Sequence, residues 1–283
     1  MPPTRKYVGL ELGGSKSSRT AVVVLDCYPQ DKKVFVSALH SRLQASDDQS
    51  GDEILLELLN KFEAKTIAVN APLSFAPCVQ CRLSCPGVEK CTVPQVAWMR
   101  EEMDRNKLGL PSPYTQRAAD ILLRGQWRKE FSEIPLEDTM GAGRAPLASR
   151  MNYLQRHIRC KNLLEVNPRL ALANFQDEFE ISARELRRYR EIEDGVEQRT
   201  AILERINLLP RDERVAKLFL YNSDLIRLAK DLSAFDAFIN ALVAMYADFG
   251  LAQNAAYDES WGVLAVPVRR PRRRQILVSG DYS

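Results

Sequence analysis

The chain reads as an α/β protein: a mixed sheet flanked by helices, with a cysteine-rich loop inserted into it. Three observations predict this. Short β-branched apolar runs and amphipathic helical segments both occur along the chain. The opening order is strand, strand, strand, helix, strand, whereas a purely parallel sheet alternates strand and helix from its start. Between a strand and the next helix, four cysteines fall within residues 78–91.

The elements follow in order. Residues 7–12 (YVGLEL) form a first strand, and GGSKSSR at 13–19 is a turn-rich link. AVVVL at 21–25 is continuously apolar, as in a buried strand, and 34–39 is a third strand. The Gly/Ser-rich link makes the first two a hairpin. Leucine and isoleucine recur at helical spacing over 52–62, behind the start signals Ser50, Gly51 and Asp52. TIAV at 66–69 is a buried strand stopped by Asn70, Ala71 and Pro72. In this sheet the strand bearing Glu11 is central, antiparallel to 21–25 and parallel to 66–69.

The middle of the chain is less regular. Helices are predicted over 96–105 and 115–127, then a loop at 141–146 and a helix over 147–157. Residues 163–166 read as a strand closed by Asn167 and Pro168. Two charged helices, 182–193 and 196–208, look solvent-facing. In the first, Arg184, Arg187, Arg188 and Arg190 alternate with Glu185, Glu191 and Glu193 as a salt-bridged face. The span 223–249 contains the most apolar helix, DAFINALVAMYADFG, and WGVLAV at 261–266 is a last strand. The domain reading is one unit over 5–267 with an insertion at 72–160, the cysteine knuckle at 77–94, and a basic tail at 268–283.

With 45% hydrophobic residues among 283, there is apolar material for a sizeable core. A net charge of +3 does not by itself announce a polyanion partner, though VRRPRRR at 268–274 holds five arginines. The opening residues enter a strand without the apolar stretch of a secretory signal, and no uninterrupted apolar run of about 18 residues occurs. The expectation is a cytoplasmic protein with no membrane partner, in which clustered thiols favour metal over disulfide.

Cys78, Cys81, Cys85 and Cys91 form C-x2-C-x3-C-x5-C. Thiolates this close suit one tetrahedral Zn²⁺; a [4Fe–4S] cluster and a metal-free loop are the alternatives. The spacing matches neither a zinc-ribbon pair nor the ferredoxin run. Cys27 and Cys160 read as small buried hydrophobes. His40 and His157, the two histidines, stand beside no serine or cysteine nucleophile, which argues against a triad.

Four polar residues sit at the edges of apolar elements: Glu11, Asn70, Glu165 and Asp236. Carboxylates there cost free energy unless compensated, and a hard divalent cation is one compensation. These acids are expected to converge.

The blocks GLELGGSKSSRTAVVVLD, VNAPLS, YTQRAAD, EVNPRLAL and DAFINALVA occur in an order that resembles the domain-of-unknown-function family 429, described as predicted RNase H-like nucleases. The resemblance spans Val8 to about Pro267. It implies an RNase H-like fold and a metal-dependent nuclease acting on nucleic acid. Glu11, Glu165 and Asp236 would hold Mg²⁺ or Mn²⁺, with Asn70 an auxiliary ligand, while Lys16 and Arg117 neutralise phosphate. Arg117 and Asp120 match the family's R-x-x-D pair. Glu11 stands where members carry aspartate, which moves the oxygens by one methylene, and Asn70 replaces another acid. Those departures open a second reading, a non-catalytic nucleic-acid or nucleotide-binding protein on a degenerate site. A third comes from GGSKSS at 13–18, which resembles the first phosphate loop of the actin-like sugar-kinase and ATPase superfamily and would bind ATP. It is not a Walker A loop, and no second phosphate loop accompanies it.

Overall fold

The computed structural model describes residues 4–14, 19–127, 137–141, 143–208, 216–256 and 258–269. Lys16 and the tail beyond Arg269 lie outside the described residues. In chain order the strands are β1 (Arg5–Glu11), β2 (Ala21–Tyr28), β3 (Lys33–His40), β4 (Thr66–Val69), β5 (Leu163–Glu165), β6 (Lys217–Phe219), β7 (Ala252–Ala255) and β8 (Leu264–Pro267). The helices are α1 (Gly51–Lys61), α2 (Pro77–Gln80), α3 (Pro94–Arg105), α4 (Ala118–Trp127), α5 (Arg144–Leu154), α6 (Pro168–Asn174), α7 (Gln176–Phe179), α8 (Ala183–Arg188), α9 (Gly195–Leu208), α10 (Asn222–Lys230) and α11 (Leu232–Asp248).

Six strands make a mixed sheet in the order β5-β4-β1-β2-β3-β6. β1 is central, antiparallel to β2 and parallel to β4, as the opening order predicts. β3 continues antiparallel from β2, while β5 lies parallel to β4 and β6 parallel to β3. β7 and β8 form a separate antiparallel pair. None of the helices among the described residues is long and apolar enough to cross a membrane.

Alternation along β1 sends its side chains to two different cores. Val8 and Leu10, with Val22, Val24, Ile67 and Val69, pack under Leu55 and Leu59 of α1 and Met151 and Leu154 of α5. Ser50 and Glu53 close a reciprocal capping box that starts α1 where the start signals placed it. Arg150, on α5, ties this layer to the first hairpin: its guanidinium bonds Asp52 Oδ1 at 2.6 Å and donates to Gly13 O at 2.5 Å.

Tyr7, Val23 and Leu25 point the other way, into the core built on α11. This helix is buried from Ala234 to Tyr246. It lies directly on β1: a Cβ added at Gly9 would sit 1.8 Å from Ala237 O and 2.3 Å from Ala241 N. One residue further along, Asn240 Nδ2 donates to Leu10 O at 3.0 Å. Asp236, a turn earlier on the same helix face, is thereby brought to the end of β1 where Glu11 stands.

Several boundaries differ from expectation, each for a local reason. α4 begins only at Ala118, because Thr115 and Gln116 turn back onto Ser112 O. α5 starts earlier, at Arg144, since Pro146 falls in the first turn, where its missing N–H costs no bond. The span 223–249 breaks into α10 and α11 at Asp231, which caps α11 by accepting from Ser233 N and Ala234 N. The two charged helices are not solvent-facing ribbons. α8 ends at Arg188, and α9 buries Ile202, Leu203 and Ile206 against the core. β6 escapes sequence reading because three residues with one buried side chain, Leu218, leave no periodicity.

Gly9→Ala is expected to destabilise the protein by more than about 3 kcal/mol, since the clash is with helix backbone rather than a movable side chain. Urea unfolding of the variant measures it, and a stability within about 1 kcal/mol of wild type would refute the close contact.

Candidate active site

Where β1 and β4 end, the chain opens a cleft of about 950 Å³. Glu11 and Asp236 lie in it, and Asn70 lines it too. Its other charged residues are mostly cationic: Arg19, Arg42, Arg144, Arg169, Arg190 and Lys230. Gly13, Gly14 and Arg19, which flank Lys16 in sequence, also line the cleft.

The acidic pair is under-compensated. Asp236 is fully buried, and its Oδ2 accepts from Arg190 Nη1. Its Oδ1 is buried without a hydrogen-bond partner, as is Oε2 of Glu11. Asn240 Oδ1, one turn along α11 from Asp236, shares that condition. Burial pushes the Glu11 carboxyl well above the ordinary carboxylate range, and the neighbouring Asp236 adds to the rise. Asp236 is pushed up to about 6 by burial, against the opposing pull of Arg190 and Arg169. The Asp236 carboxyl is thus near enough to raise the cost of a charge on Glu11, and a proton or a cation would relieve it.

Glu165 is in a different condition. Both its oxygens are held by the Arg117 guanidinium, each at 2.7 Å. Leu73 N donates to Oε2 at 3.0 Å, and Arg144 Nη2 reaches Oε1 at 3.3 Å. Arg117 in turn pairs with Asp120 at 3.2 Å and donates to Ser74 Oγ at 3.0 Å. Burial would raise the Asp120 carboxyl, but Arg117 and the Thr139 hydroxyl hold it below its ordinary value. Two of the expected site residues, Arg117 and Glu165, do not line the cleft. Arg117 is 1% exposed, and both its terminal nitrogens are already held by Glu165, Asp120 and Ser74, which leaves them no face for a substrate phosphate. Glu165 is saturated by donors and lies outside the cleft lining. Asn70 does face the cleft, but its Oδ1 accepts Leu12 N at 2.7 Å and so fastens the end of β1.

Sequence reasoning missed the arginines that matter most. The charge pattern puts Arg190 on a salt-bridged helix face; Arg188 makes those surface pairs, with Glu191 and Asp194, whereas Arg190 pairs with Asp236 and lines the cleft. Arg144 stands between the two acid groups, bonded to Glu165 and lowering the cost of Glu11's charge. Arg169 follows Pro168 at the start of α6, and an arginine heading the otherwise apolar block PRLALAN was the available signal.

The four clustered cysteines are free thiols in the segment between β4 and α3. Arg100 Nη1 holds that segment by two backbone carbonyls, Val88 O and Cys91 O, each at 2.7 Å. Burial raises the Cys78 thiol, with further contributions from Cys81, Cys91 and Cys85. Among the described residues, no three or more His, Cys, Asp or Glu side chains are grouped to hold a metal ion. No family model matches the chain, and no curated protein or solved structure matches it significantly.

Arg117→Met should cost about 3–5 kcal/mol, because it strands two buried carboxylates. Chemical denaturation checks this, and a variant as stable as wild type would return Arg117 to the list of residues free to meet a ligand.

Proposed function

We propose that the protein is a metal-dependent nuclease, a phosphodiesterase whose arginine-lined cleft takes the backbone of nucleic acid. The observation that carries this reading is a pair of buried, unpartnered carboxylate oxygens, on Glu11 and Asp236, within a cleft lined by six cationic side chains. The strand order supports an RNase H-like core with an acid on its central strand: three antiparallel strands on one side of the order, two parallel additions on the other.

The residues present fit a hard divalent cation, Mg²⁺ or Mn²⁺. Carboxylate oxygens are its preferred donors, and Glu11 Oε2 and Asp236 Oδ1 have no other partner. Such an ion, when bound, supplies positive charge to a phosphodiester and makes water a better nucleophile. Around it the chain's own groups divide the work. Arg144, Arg169 and Lys230 neutralise phosphate oxygens, with Lys16 an expected addition from the loop whose flanks line the cleft. Arg190 holds Asp236 in place. Asn240, bonded to Leu10 O, sets the distance between α11 and the end of β1. The saturated Glu165–Arg117–Asp120 group takes no part in binding; it fixes β5 against α4.

The cysteine segment carries its own proposal, a structural Zn²⁺ held by Cys78, Cys81, Cys85 and Cys91. The donor chemistry supports it, as does the electrostatic influence of the other three thiols on Cys78. Binding requires the exposed side chains of Cys81 and Cys85 to swing inward.

Two measurements test these readings. In an EPR titration Mn²⁺ should bind wild type, and Asp236→Asn should weaken it by about tenfold or more and abolish cation-dependent cleavage of nucleic acid. Because the proton on Asp236 must leave first, affinity should climb as pH rises through about 6. The same raised carboxyl costs stability in metal-free protein as pH goes from 3.8 up through about 6. Asp236→Asn should therefore gain on wild type over that window by roughly 2–3 kcal/mol. Absence of any Mn²⁺ binding would make the acids structural, and binding without cleavage would make the chain a binding protein on a degenerate site. For the thiols, protein purified without oxygen should contain about one zinc per chain. A brown protein absorbing in the visible would favour the [4Fe–4S] alternative, and neither metal nor colour would reject both.

A further inference from the structure

A second cavity has a volume of about 520 Å³. Neighbouring residues of α5 line the two: Leu147 the cleft and Ala148 the cavity. Leu73 lines the cavity while its N–H is held by Glu165, which also takes Arg144 from the cleft. Yet their chemistry is opposite. The cleft has ten charged residues in its lining; the cavity has one, Arg82. In their place stand four carboxamides, Gln80, Gln95, Asn152 and Gln155, and the rings of Phe75 and Trp261.

A carboxamide offers a donor and an acceptor side by side, the pattern that reads the edge of a nucleobase. An aromatic ring offers a face on which a base stacks irrespective of its identity. A lining with little charge, several carboxamides and two aromatic rings therefore suits a flat, neutral, heteroaromatic ligand and rejects a phosphate. We infer that this cavity receives a nucleobase of the strand whose phosphate occupies the cleft. The inference rests on the nucleic-acid reading above and gives it a specificity determinant.

The wall is held in position. Gln95 Nε2 donates to Trp261 O at 3.2 Å, and Gln155 Nε2 reaches Asn152 Oδ1 at 3.5 Å. Trp261 leans on Trp98 with ring centres 6.2 Å apart. Next to it, Gly262 has φ 107°, and a Cβ there would press on Ser74 Oγ at 3.0 Å and Arg117 Cδ at 3.2 Å. The corner carrying the indole thus rests on the buried Arg117–Glu165 pair, which gives that pair a positioning role. Cys81, Arg82 and Leu83 of the cysteine segment form part of the lining, with Leu83 largely exposed to solvent. Metal at the thiols would set this wall.

Nucleosides without phosphate are the direct probe, added to the full chain without divalent cation. Adenosine, guanosine, cytidine and uridine are titrated while tryptophan fluorescence and isothermal heat are read. At least one should bind saturably and quench, and Trp261→Phe should remove most of the quench. Asn152→Leu with Gln155→Leu should weaken binding by about tenfold or more with an unchanged circular dichroism spectrum. Should that double variant misfold, Gln80→Leu, at an exposed position, replaces it with a smaller expected loss. Ribose 5-phosphate should neither quench nor compete. Failure of all four nucleosides, equal competition by ribose 5-phosphate, or full binding by the folded carboxamide variants would overturn the inference. The outcomes separate cleanly from the cation reading. Nucleoside binding needs no metal and stands if Mn²⁺ fails to bind, while Mn²⁺ binding stands if nucleosides do not.

Discussion

The backbone contact between α11 and β1 at Gly9 governs both the core and the site. A helix normally rests on a sheet through its side chains. Here Ala237 and Ala241 leave no side-chain layer, and the strand offers no Cβ, so the two backbones touch. Depth and register are then fixed together. Alternation puts Glu11 on the same face of β1 as Gly9, and the helical period puts Asp236 one turn from Asn240, which is bonded to Leu10 O. Moving the helix outward would separate the acids as well as opening the core. The feature that makes the fold tight is also the one that brings two carboxyl groups to the wall of one cleft.

The protein handles its buried charges in two ways. At Glu165 both carboxylate oxygens are matched by donors, from Arg117, Arg144 and Leu73 N. At Glu11 and Asp236 the matching of the acids stops short, leaving two carboxylate oxygens without partners, with Asn240 Oδ1 in the same condition nearby on α11. Buried polar atoms are rarely left this way in a region that serves only packing. Burial raises the proton affinity of both acids, and a cation taking the proton's place would offset the same cost. Closed networks stabilise; open ones can accept a ligand.

The strand order around β1 was legible because it depends on local grammar: β-branched runs, a Gly/Ser-rich link, and a capping box before α1. The positions of Glu11 and Asp236 were legible for a related reason, as acids breaking apolar patterns. Partnership was not. Glu165 breaks its pattern in the same manner, and only the fold shows that a buried arginine from α4's entry turn neutralises it. Arg190 lay hidden for the converse reason. In RRYREIE a charged residue has many neighbours of opposite sign, and the end of α8 at Arg188 decides which of them it meets. Ion pairing over long sequence distance leaves no periodic trace.

Arg144 joins the two kinds of network, and this has a consequence for binding. It contacts Glu165 at 3.3 Å, a longer bond than either made by Arg117, and its charge also eases Glu11. Because Arg117 alone already satisfies both oxygens of Glu165, Arg144 is the cation that can turn toward an incoming phosphate at least cost. Such a turn would withdraw part of the compensation from Glu11 and strengthen its demand for a cation. A phosphate in the cleft and an ion on the acids would therefore favour each other, with no rearrangement beyond one side chain. The same arginine begins α5, whose next turn lines the cleft with Leu147 and the second cavity with Ala148. Under the proposed reading, phosphate binding and base binding would draw on one helix, seated on the sheet by Met151 and Leu154.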